Sequence, residues 1–363
     1  MIRSSLESKL YILQRGAARV PLLPRVSISL PRRRTAALAV LACLLILVLL
    51  AYRTRVSGFR WDVLFASASN LDWLWLASAI FLILLSYVGR ALRWQAMLRP
   101  FGHPIGVLRL TSDTLIGATV TLLCGRVGEV VRPYLISLQT GLPVSSQAAA
   151  WFLERILDLL MMLLIFGYAL TRIPYRLAAS GYLLAAAAAL CLVLLFALRD
   201  PQGRARLISA IPEPYQPRVA RLLTSFGRGL DCTRDARSLT ILLLYTVLEW
   251  TIIIGGTFAM FRAFSATKTL DLDAILVLLA FVSLGNIVQL PAVGGGAQAA
   301  CILALTKIFH LPIESATGVA LLFWFFGSFC IVPFGLLGAF HEGLNWSKLK
   351  SLSAKQILDS PEA

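Results

Sequence analysis

The chain has few charged residues and few groups that hold metals. Charged residues make up 14% of its 363 residues, and it contains three histidines and six cysteines. The cysteines occur singly, without a C-x-x-C pair, and we interpret them as packing groups rather than metal ligands or disulfides. No Walker A, G-x-S-x-G or H-E-x-x-H pattern occurs, which argues against the common ATPases, hydrolases and metalloproteases. We therefore expect no metal and no cofactor.

Apolar residues are abundant instead. They form 58% of the chain, against about 45–50% in soluble proteins, and the mean hydropathy is +0.79. A membrane helix needs about 20 residues to cross the bilayer. The candidate apolar stretches lie near residues 36–52, 71–89, 105–123, 145–170, 177–198, 238–263, 272–290, 294–309 and 313–340. We predict an all-α polytopic membrane bundle of about 6–8 spans.

The charge is strongly positive, with 34 lysines and arginines against 18 acidic residues. Much of it lies in residues 1–35 and in the loop 199–237, which flank apolar stretches. By the positive-inside rule both are cytoplasmic, so we expect contact with anionic inner-leaflet lipids rather than nucleic acid. We predict a basic segment 1–35, a transmembrane domain 36–340 and a cytoplasmic tail 341–363. The expected location is the plasma (inner) membrane, with both termini in the cytoplasm.

Two regions predict broken helices. Five full crossings before residue 199 would put the basic loop outside, so one segment must fail to cross. We predict a re-entrant hairpin at 105–140, where Asp113 and the charged run Gly125–Pro133 interrupt the apolar sequence. A comparable break is expected at 291–309, around three consecutive glycines. Paired breaks are typical of transporter binding sites, although the glycines alone are also compatible with a simple tight turn.

Three charges lie inside the apolar stretch 145–170 and three more lie just before it. They are Glu154, Arg155 and Asp158, and upstream Arg126, Glu129 and Arg132. A charge near the bilayer centre costs about 2.5–3.5 kcal/mol on insertion scales, so these groups need partners or water. Glu154 and Asp158, four residues apart, project from one face of a helix and require a nearby cation. The candidate cations are Arg90, Arg93, Arg126 and Arg132.

Arginines in excess of these partners favour a phosphate ligand, because the planar guanidinium donates two parallel hydrogen bonds. We therefore predict a site for the head group of a phospholipid. One alternative is an ion-pair network that only fixes helix packing. For Arg90, Arg93 and Trp94 another alternative is a helix end with two snorkelling arginines and an interfacial tryptophan.

Four motifs share one order with a known family. They are Arg90-x-x-Arg93-Trp94, Gly125-Arg-x-Gly-Glu-x-x-Arg132-Pro133, Glu154-Arg155-x-x-Asp158, and Pro291 with glycines at 294–296. Over roughly residues 35–340 the chain resembles the transmembrane domain of lysylphosphatidylglycerol synthase/flippase proteins. The predicted substrate-binding residues are Arg90, Arg93, Trp94, Arg126, Glu129, Arg132, Glu154, Arg155, Asp158, Gly294, Gly295, Gly296 and Gln298.

The resemblance implies movement of a charged phospholipid between leaflets, with a separate synthase domain that we expect to be absent here. The family usually has a glutamate just after its second glycine motif, whereas this chain has Gln298. A neutral or anionic lipid, or a polyprenyl phosphate, therefore fits better than a lysine-bearing one. We expect a lipid transporter that works without ATP rather than an enzyme.

Two other functions stay open at this stage. Some members of the family are associated with glycosyl transfer from lipid-linked sugars, and Asp271-Leu-Asp273 resembles the D-x-D motif of glycosyltransferases. These acids also suit the start of a helix, which is the interpretation we favour. A scaffold is the third possibility, since the basic amphipathic stretch Arg218–Arg237 is compatible with a surface helix, an inner-leaflet contact or a partner.

Overall fold

The computed structural model describes residues 60–99, 102, 105–172, 235–290 and 294–343, with short pieces between 181 and 224. Within these residues the helices are α1 (Trp61–Ser69), α2 (Trp73–Leu98), α3 (Val107–Cys124), α4 (Val131–Thr140), α5 (Val144–Arg172), α6 (Pro201–Ser209), α7 (Ala236–Arg262), α8 (Leu272–Gly285), α9 (Gly296–Lys307), α10 (Ile313–Phe329) and α11 (Val332–His341). A 3-10 turn, Arg126–Val130, precedes α4, and two short strands, Gln289–Leu290 and Gly294–Gly295, precede α9.

The predicted all-α membrane bundle is confirmed. Among the residues that the structure describes, four segments are long and apolar enough to cross a membrane: α2, α3, α7 and the pair α10–α11. Helix α5 is 29 residues long and carries the predicted charge cluster. The expected spans at 36–52 and, for the most part, 177–198 lie outside the described residues. So do segment 1–35, most of the loop 199–237 and residues 344–363.

Aspartates begin three of the apolar helices. Asp72 accepts hydrogen bonds from the backbone N–H groups of the first turn of α2, and Asp235 does the same for α7. Asp271 accepts from the N–H of Ala274 at 2.9 Å and caps α8. A carboxylate at this position satisfies an N–H that has no partner within the helix and complements the positive end of the helix dipole. The predicted capping role of Asp271 is confirmed.

The helices break near both predicted places, and each break is followed by a short helix. Helix α3, however, runs unbroken through Asp113 and is long enough to cross the membrane, which does not support a re-entrant segment there. After α3 the chain reverses at Gly125, which has a positive φ of 80°, and continues through the 3-10 turn into the 10-residue α4. At about 15 Å, α4 is half the thickness of the hydrocarbon core. Pro133 lies in the first turn of α4, where a missing N–H is tolerated, and the helix continues beyond it to Thr140.

The second interruption joins two short helices of similar length. Helix α8 has 14 residues and α9 has 12, about 21 Å and 18 Å. Between them Gln289–Leu290 pairs antiparallel with Gly294–Gly295. Positive φ angles at Gly294 and Gly295 allow this turn. The pair α8–α9 therefore forms a helical hairpin that is shorter than a full crossing.

The helices pack through small residues. Ala79 on α2 is fully buried in the largest apolar cluster, beside Met260 and Phe261 of α7. Gly256 of α7 lies against Leu82 of α2. Small side chains allow close helix approach, which membrane helices need because lipid offers no hydrophobic drive for association. A second apolar cluster, centred on Trp94 and Leu153, joins α2 to α5.

The α8–α9 hairpin depends on contact between two glycine backbones. A Cβ on Gly285 would overlap the carbonyl group of Gly296, and a Cβ on Gly296 would overlap the carbonyl group of Gly285. Neither side has a flexible side chain that could move away. The two short helices therefore meet at this point only because both residues lack a side chain.

We expect Gly285→Ala to destabilise the protein by about 1–3 kcal/mol, the usual cost of overpacking. The matched control is Gly255→Ala on α7, whose new Cβ would meet only Leu82 Cδ1 at 3.6 Å, an ordinary contact. Because alanine favours a helix over glycine, the control should be neutral or more stable by about 0.5–1 kcal/mol. Thermal unfolding of the purified protein in detergent measures both. Equal stability of the two variants would contradict the close backbone contact.

Candidate functional site

Arg93 lies at the centre of a buried ion-pair cluster. Its Nη2 atom is 2.9 Å from Glu154 Oε1 and 3.3 Å from Glu249 Oε2, and its Nη1 atom donates to Asp158 Oδ1 at 2.8 Å. The side chain of Arg93 has no exposed surface, and neither has Glu249. One guanidinium thus joins carboxylates from α5 and α7 to helix α2.

Three more arginines surround this centre. Arg90 donates through Nε to Glu249 Oε1 at 2.9 Å, and Arg132 donates through Nη1 to Glu154 Oε2 at 3.0 Å. Arg155 Nη2 lies 3.3 Å from Glu154 and 3.1 Å from Asp158. Four guanidiniums therefore share three carboxylates, which leaves a formal charge of +1. We call these seven residues the ion-pair cluster: Arg90, Arg93, Arg132, Glu154, Arg155, Asp158 and Glu249.

Helical spacing positions these side chains. Glu154 and Asp158 are four residues apart on α5, and both reach Arg93, as their spacing predicts. Arg90 and Arg93 are three residues apart on α2, and both reach Glu249. Arg132 approaches from the first turn of α4, where it also donates to the carbonyl oxygen of Arg90 at 3.2 Å. The cluster therefore ties four helices together.

Two tryptophans support the cluster. Trp94 is completely buried, donates through Nε1 to Gln147 Oε1 at 3.2 Å, and lies beneath the guanidinium of Arg132, 4.1 Å from ring centroid to Cζ. Trp250 donates through Nε1 to Asp158 at 3.4 Å. Burial of Trp94 and Arg93 shows that the alternative of a snorkelling, interfacial helix end is wrong for both.

Glu249 is the residue that the sequence analysis missed. It completes the ion pairs of both Arg90 and Arg93 and has no exposed surface. The available signal was a single acid in the apolar stretch 238–263, because an isolated charge in a span is usually functional or paired. The charged motifs used for the prediction lie on other segments, so no residue of α7 was included.

Two predicted site residues lie in the 3-10 turn, next to the cluster. Glu129 borders a cavity that Arg132 also lines, and it forms no ion pair with any residue that the structure describes. Arg126 has a described backbone in this turn, but its side chain lies outside the described residues. The expectation that Arg126 supplies a cation to Glu154 therefore stays a prediction.

The glycine motif lies in the α8–α9 hairpin rather than in the cluster. Gly294 and Gly295 form the second strand, and Gly296 begins α9. The Gln298 Oε1 atom accepts a hydrogen bond from the N–H of Gly295, so this side chain helps to hold the turn. Gln298 is 7% exposed. A role of these four residues in binding substrate stays a prediction.

Two cavities adjoin the ion-pair cluster. The larger, of about 480 Å³, has Arg90, Arg155, Asp158 and Glu249 in its wall. The smaller, of about 350 Å³, is bordered by Arg90, Arg132 and Arg155. Arg155 is 40% exposed and Arg90 is 29% exposed, whereas Arg93 is fully enclosed. The accessible groups of the cluster are therefore mainly cationic.

The wall of the larger cavity contains both charged and apolar side chains. Its apolar lining includes side chains of α2, α5, α7 and α8: Ile83, Leu159, Met162, Ile253, Met260, Leu279 and Val282. Ser283, Asn286 and Ser328 add neutral polar groups. This surface suits an amphipathic ligand with an anionic or neutral polar head. The part of the chain that the structure describes contains no group of three or more metal-ligating side chains.

Both acids of the D-x-D motif have partners within the protein. Asp271 caps α8, and Asp273 accepts a hydrogen bond from the Tyr168 hydroxyl and pairs with Arg172 at 3.1 Å. Neither acid lines one of the two cavities beside the ion-pair cluster. The arrangement therefore does not favour a metal-dependent sugar transfer at this motif.

Comparison with known proteins gives one match. Residues 35–335 match the sequence model of the lysylphosphatidylglycerol synthase TM region. This range covers all seven residues of the ion-pair cluster, the two helical hairpins α3–α4 and α8–α9, and both cavities. No curated protein and no solved structure matches the chain.

We expect Arg93→Met to cost about 3–5 kcal/mol of stability, because it leaves buried carboxylates without their shared cation. The matched control is Arg172→Met, which removes a half-exposed ion pair to Asp273 and should change stability little. Thermal unfolding in detergent provides the comparison. A similar small loss in both variants would show that Arg93 does not hold the helices together.

Proposed function

Because the chain belongs to the lysylphosphatidylglycerol synthase TM region family, we propose that it moves a polar-headed phospholipid or a polyprenyl phosphate between leaflets without ATP. One observation carries this proposal: partly exposed arginines of a buried ion-pair cluster line a cavity whose remaining wall is largely apolar. A lipid has the same two-part character, since its head is charged or polar and its chains are apolar.

The charge of the cluster favours an anionic or neutral head group. Its four guanidiniums and three carboxylates leave one positive charge in excess, and Arg155 and Arg90 are its most exposed arginines. Each carboxylate already pairs with at least two arginines. A cationic head group would have to displace one of them, whereas a phosphate needs only the donors that face the cavity.

The apolar wall supports a path for the acyl chains. Met162, Ile253 and Leu279 belong to the lining of the larger cavity, together with the charged residues. In this proposal the head group crosses the membrane beside Arg155 while the chains stay among apolar side chains. The cost of moving a phosphate through hydrocarbon falls because guanidinium groups replace its water.

The two helical hairpins, α3–α4 and α8–α9, supply the polar surroundings that such a path requires. Thr121 and Glu129 from the first hairpin and Asn286 from the second border the smaller cavity together with Arg155. Non-helical backbone at membrane depth is tolerated where it is enclosed by protein or lines a wet cavity. We infer that both hairpins border the head-group path.

The remaining expectations belong to the same proposal. The protein is a multi-pass protein of the plasma (inner) membrane, with both termini in the cytoplasm and with basic segments against anionic lipids. Scaffolding is a weaker alternative, because it gives no role to the cavity beside the ion-pair cluster. The stretch Arg218–Arg237, which suggested it, falls mostly outside the described residues. Glycosyl transfer is also weaker, because Asp271 and Asp273 are both engaged within the protein.

We expect Arg155→Gln to slow lipid translocation by about tenfold or more, which corresponds to the loss of one charge-assisted hydrogen bond to phosphate. The assay uses purified protein in vesicles that contain a fluorescent anionic phospholipid, with a membrane-impermeant quencher to report each leaflet. Arg155→Lys should retain part of the activity because it keeps the charge but loses the bidentate geometry. Stability should change little, since the Arg155 side chain is 40% exposed.

Arg172→Gln is the matched control for this assay. It also removes an arginine from a partly exposed ion pair, but it lies outside both cavities. Its translocation rate should equal that of the unaltered protein. Equal rates for Arg155→Gln and the control would reject the site. Sugar transfer by the purified protein from a lipid-linked donor would instead favour the enzyme alternative.

A further inference from the structure

A second buried polar group lies away from the ion-pair cluster. Asp113, on α3, has no exposed surface, although α3 is one of the apolar segments long enough to cross the membrane. Its Oδ1 atom accepts a hydrogen bond from Gln139 Nε2 of α4 at 3.0 Å. Among the described residues Asp113 forms no ion pair. The function proposed above does not use this carboxyl group.

In the Asp113–Gln139 pair, two side-chain oxygen atoms lack a hydrogen-bond donor. They are Asp113 Oδ2 and Gln139 Oε1, both buried and without a partner among the described residues. An ionised carboxylate only accepts hydrogen bonds, and so does an amide oxygen. Buried acceptors without donors cost about 1–3 kcal/mol each, and more when they are charged. One proton on Oδ2 removes the charge and supplies the missing donor.

A second carboxyl group lies next to Asp113. Glu342, which follows α11, is near enough for its charge to act on Asp113, and it lines the same cavity as Gln139, the hydrogen-bond partner of Asp113. Two carboxyl groups can share a hydrogen bond only if one of them is protonated. Burial also raises the pKa of the Glu342 carboxyl. Both carboxyl groups therefore favour a bound proton over two adjacent negative charges.

We propose that Asp113 and Glu342 form a proton-binding site at the contact of α3, α4 and the end of α11. The proton resides mainly on Asp113, which is the more deeply buried of the two. From there Oδ2 donates to Glu342 or to Gln139, while Oδ1 keeps the bond from the Gln139 amide. The site does not depend on the transport activity proposed above.

The charged groups that face this site come from each surrounding element. Arg109 lies one helical turn before Asp113 on α3, and Arg132 of α4 is more distant and engaged by Glu154. His341 precedes Glu342 at the end of α11. Arg109 is exposed and favours the ionised form of either carboxyl, so it opposes the proton. Its exposure to solvent weakens this effect relative to burial.

Protons can reach the site from a neighbouring cavity. It has a volume of about 910 Å³ and is lined by Arg109, Ser112, Gln139, His341 and Glu342. Asp113 itself does not line this cavity, whereas its neighbours Gln139 and Glu342 do. Helices α3 and α11 pack closely here, since a Cβ on Gly338 of α11 would lie 2.5 Å from Ser112 Oγ of α3. Loss of the proton would therefore put negative charge between elements that are packed closely.

The test is infrared difference spectroscopy of the full chain in lipid bilayers during a titration from acid to alkaline buffer. A protonated buried carboxyl gives a carbonyl band separate from that of carboxylates. We expect this band to persist at neutral pH in the unaltered protein and to be lost at alkaline pH. Asp113→Asn should remove it. Glu342→Gln should keep it but move its loss to lower pH, because the neighbouring negative charge is gone.

Glu213→Gln is the matched control, since Glu213 is an exposed carboxyl. It should leave the band and its titration unchanged. A band that is absent at neutral pH, or that survives in Asp113→Asn, would overturn the proposal. If Asp113→Asn fails to fold, Glu342→Gln decides alone, and an unchanged titration in that variant would also overturn it.

Unfolding provides a second readout with a defined sign. The folded protein holds a proton that the unfolded chain releases at neutral pH, so stability should fall as the pH rises through the titration of the site. Asp113→Asn cannot release this proton, so we expect its unfolding temperature to fall less than that of the unaltered protein as the pH rises from about 4, where an aspartate of the unfolded chain ionises, to the titration of the site. The same pH dependence in both would contradict a proton on Asp113.

Discussion

The structure depends on one fully enclosed guanidinium. Arg93 receives carboxylates from two other helices, and each of these carboxylates is shared with a further arginine. In an apolar surrounding, neither sign of charge is stable alone, so the groups must be assembled together. The ion pairs therefore fix the relative positions of α2, α4, α5 and α7. They also leave Arg155 and Arg90 at the edge of a cavity, where a ligand can meet them.

Breaks in the helices bring polar backbone and side chains to the same region. Helix α4, which follows the turn after α3, and the two helices α8 and α9 are each too short to form a full span. Residues from the turn after α3 and from the α8–α9 hairpin border the smaller cavity. Glycine makes each turn possible, either through a positive φ or through close backbone contact. The same feature that weakens these segments as spans thus gives the protein a polar interior beside its ion pairs.

Two kinds of buried charge occur in this protein and are stabilised differently. The carboxylates of the ion-pair cluster have arginines from several helices as their partners. Asp113 has one amide donor, a neighbouring carboxyl and no ion pair within the described residues, so a proton is its most effective partner. The first arrangement holds a fixed charge near the cavity, whereas the second changes its charge with pH. Their separation allows each to be altered without the other.

Sequence alone determined the fold class, the family and most of the ion-pair cluster. Long apolar stretches require membrane helices, and the spacing of Glu154 and Asp158 requires a shared face, because both follow from local geometry. Tertiary structure decided which cations these acids meet, that Glu249 completes the cluster, and that Gln298 holds a turn. It also showed Trp94 beneath Arg132 rather than at an interface. Such contacts join residues that are far apart in the chain, and no local pattern specifies which helices become neighbours.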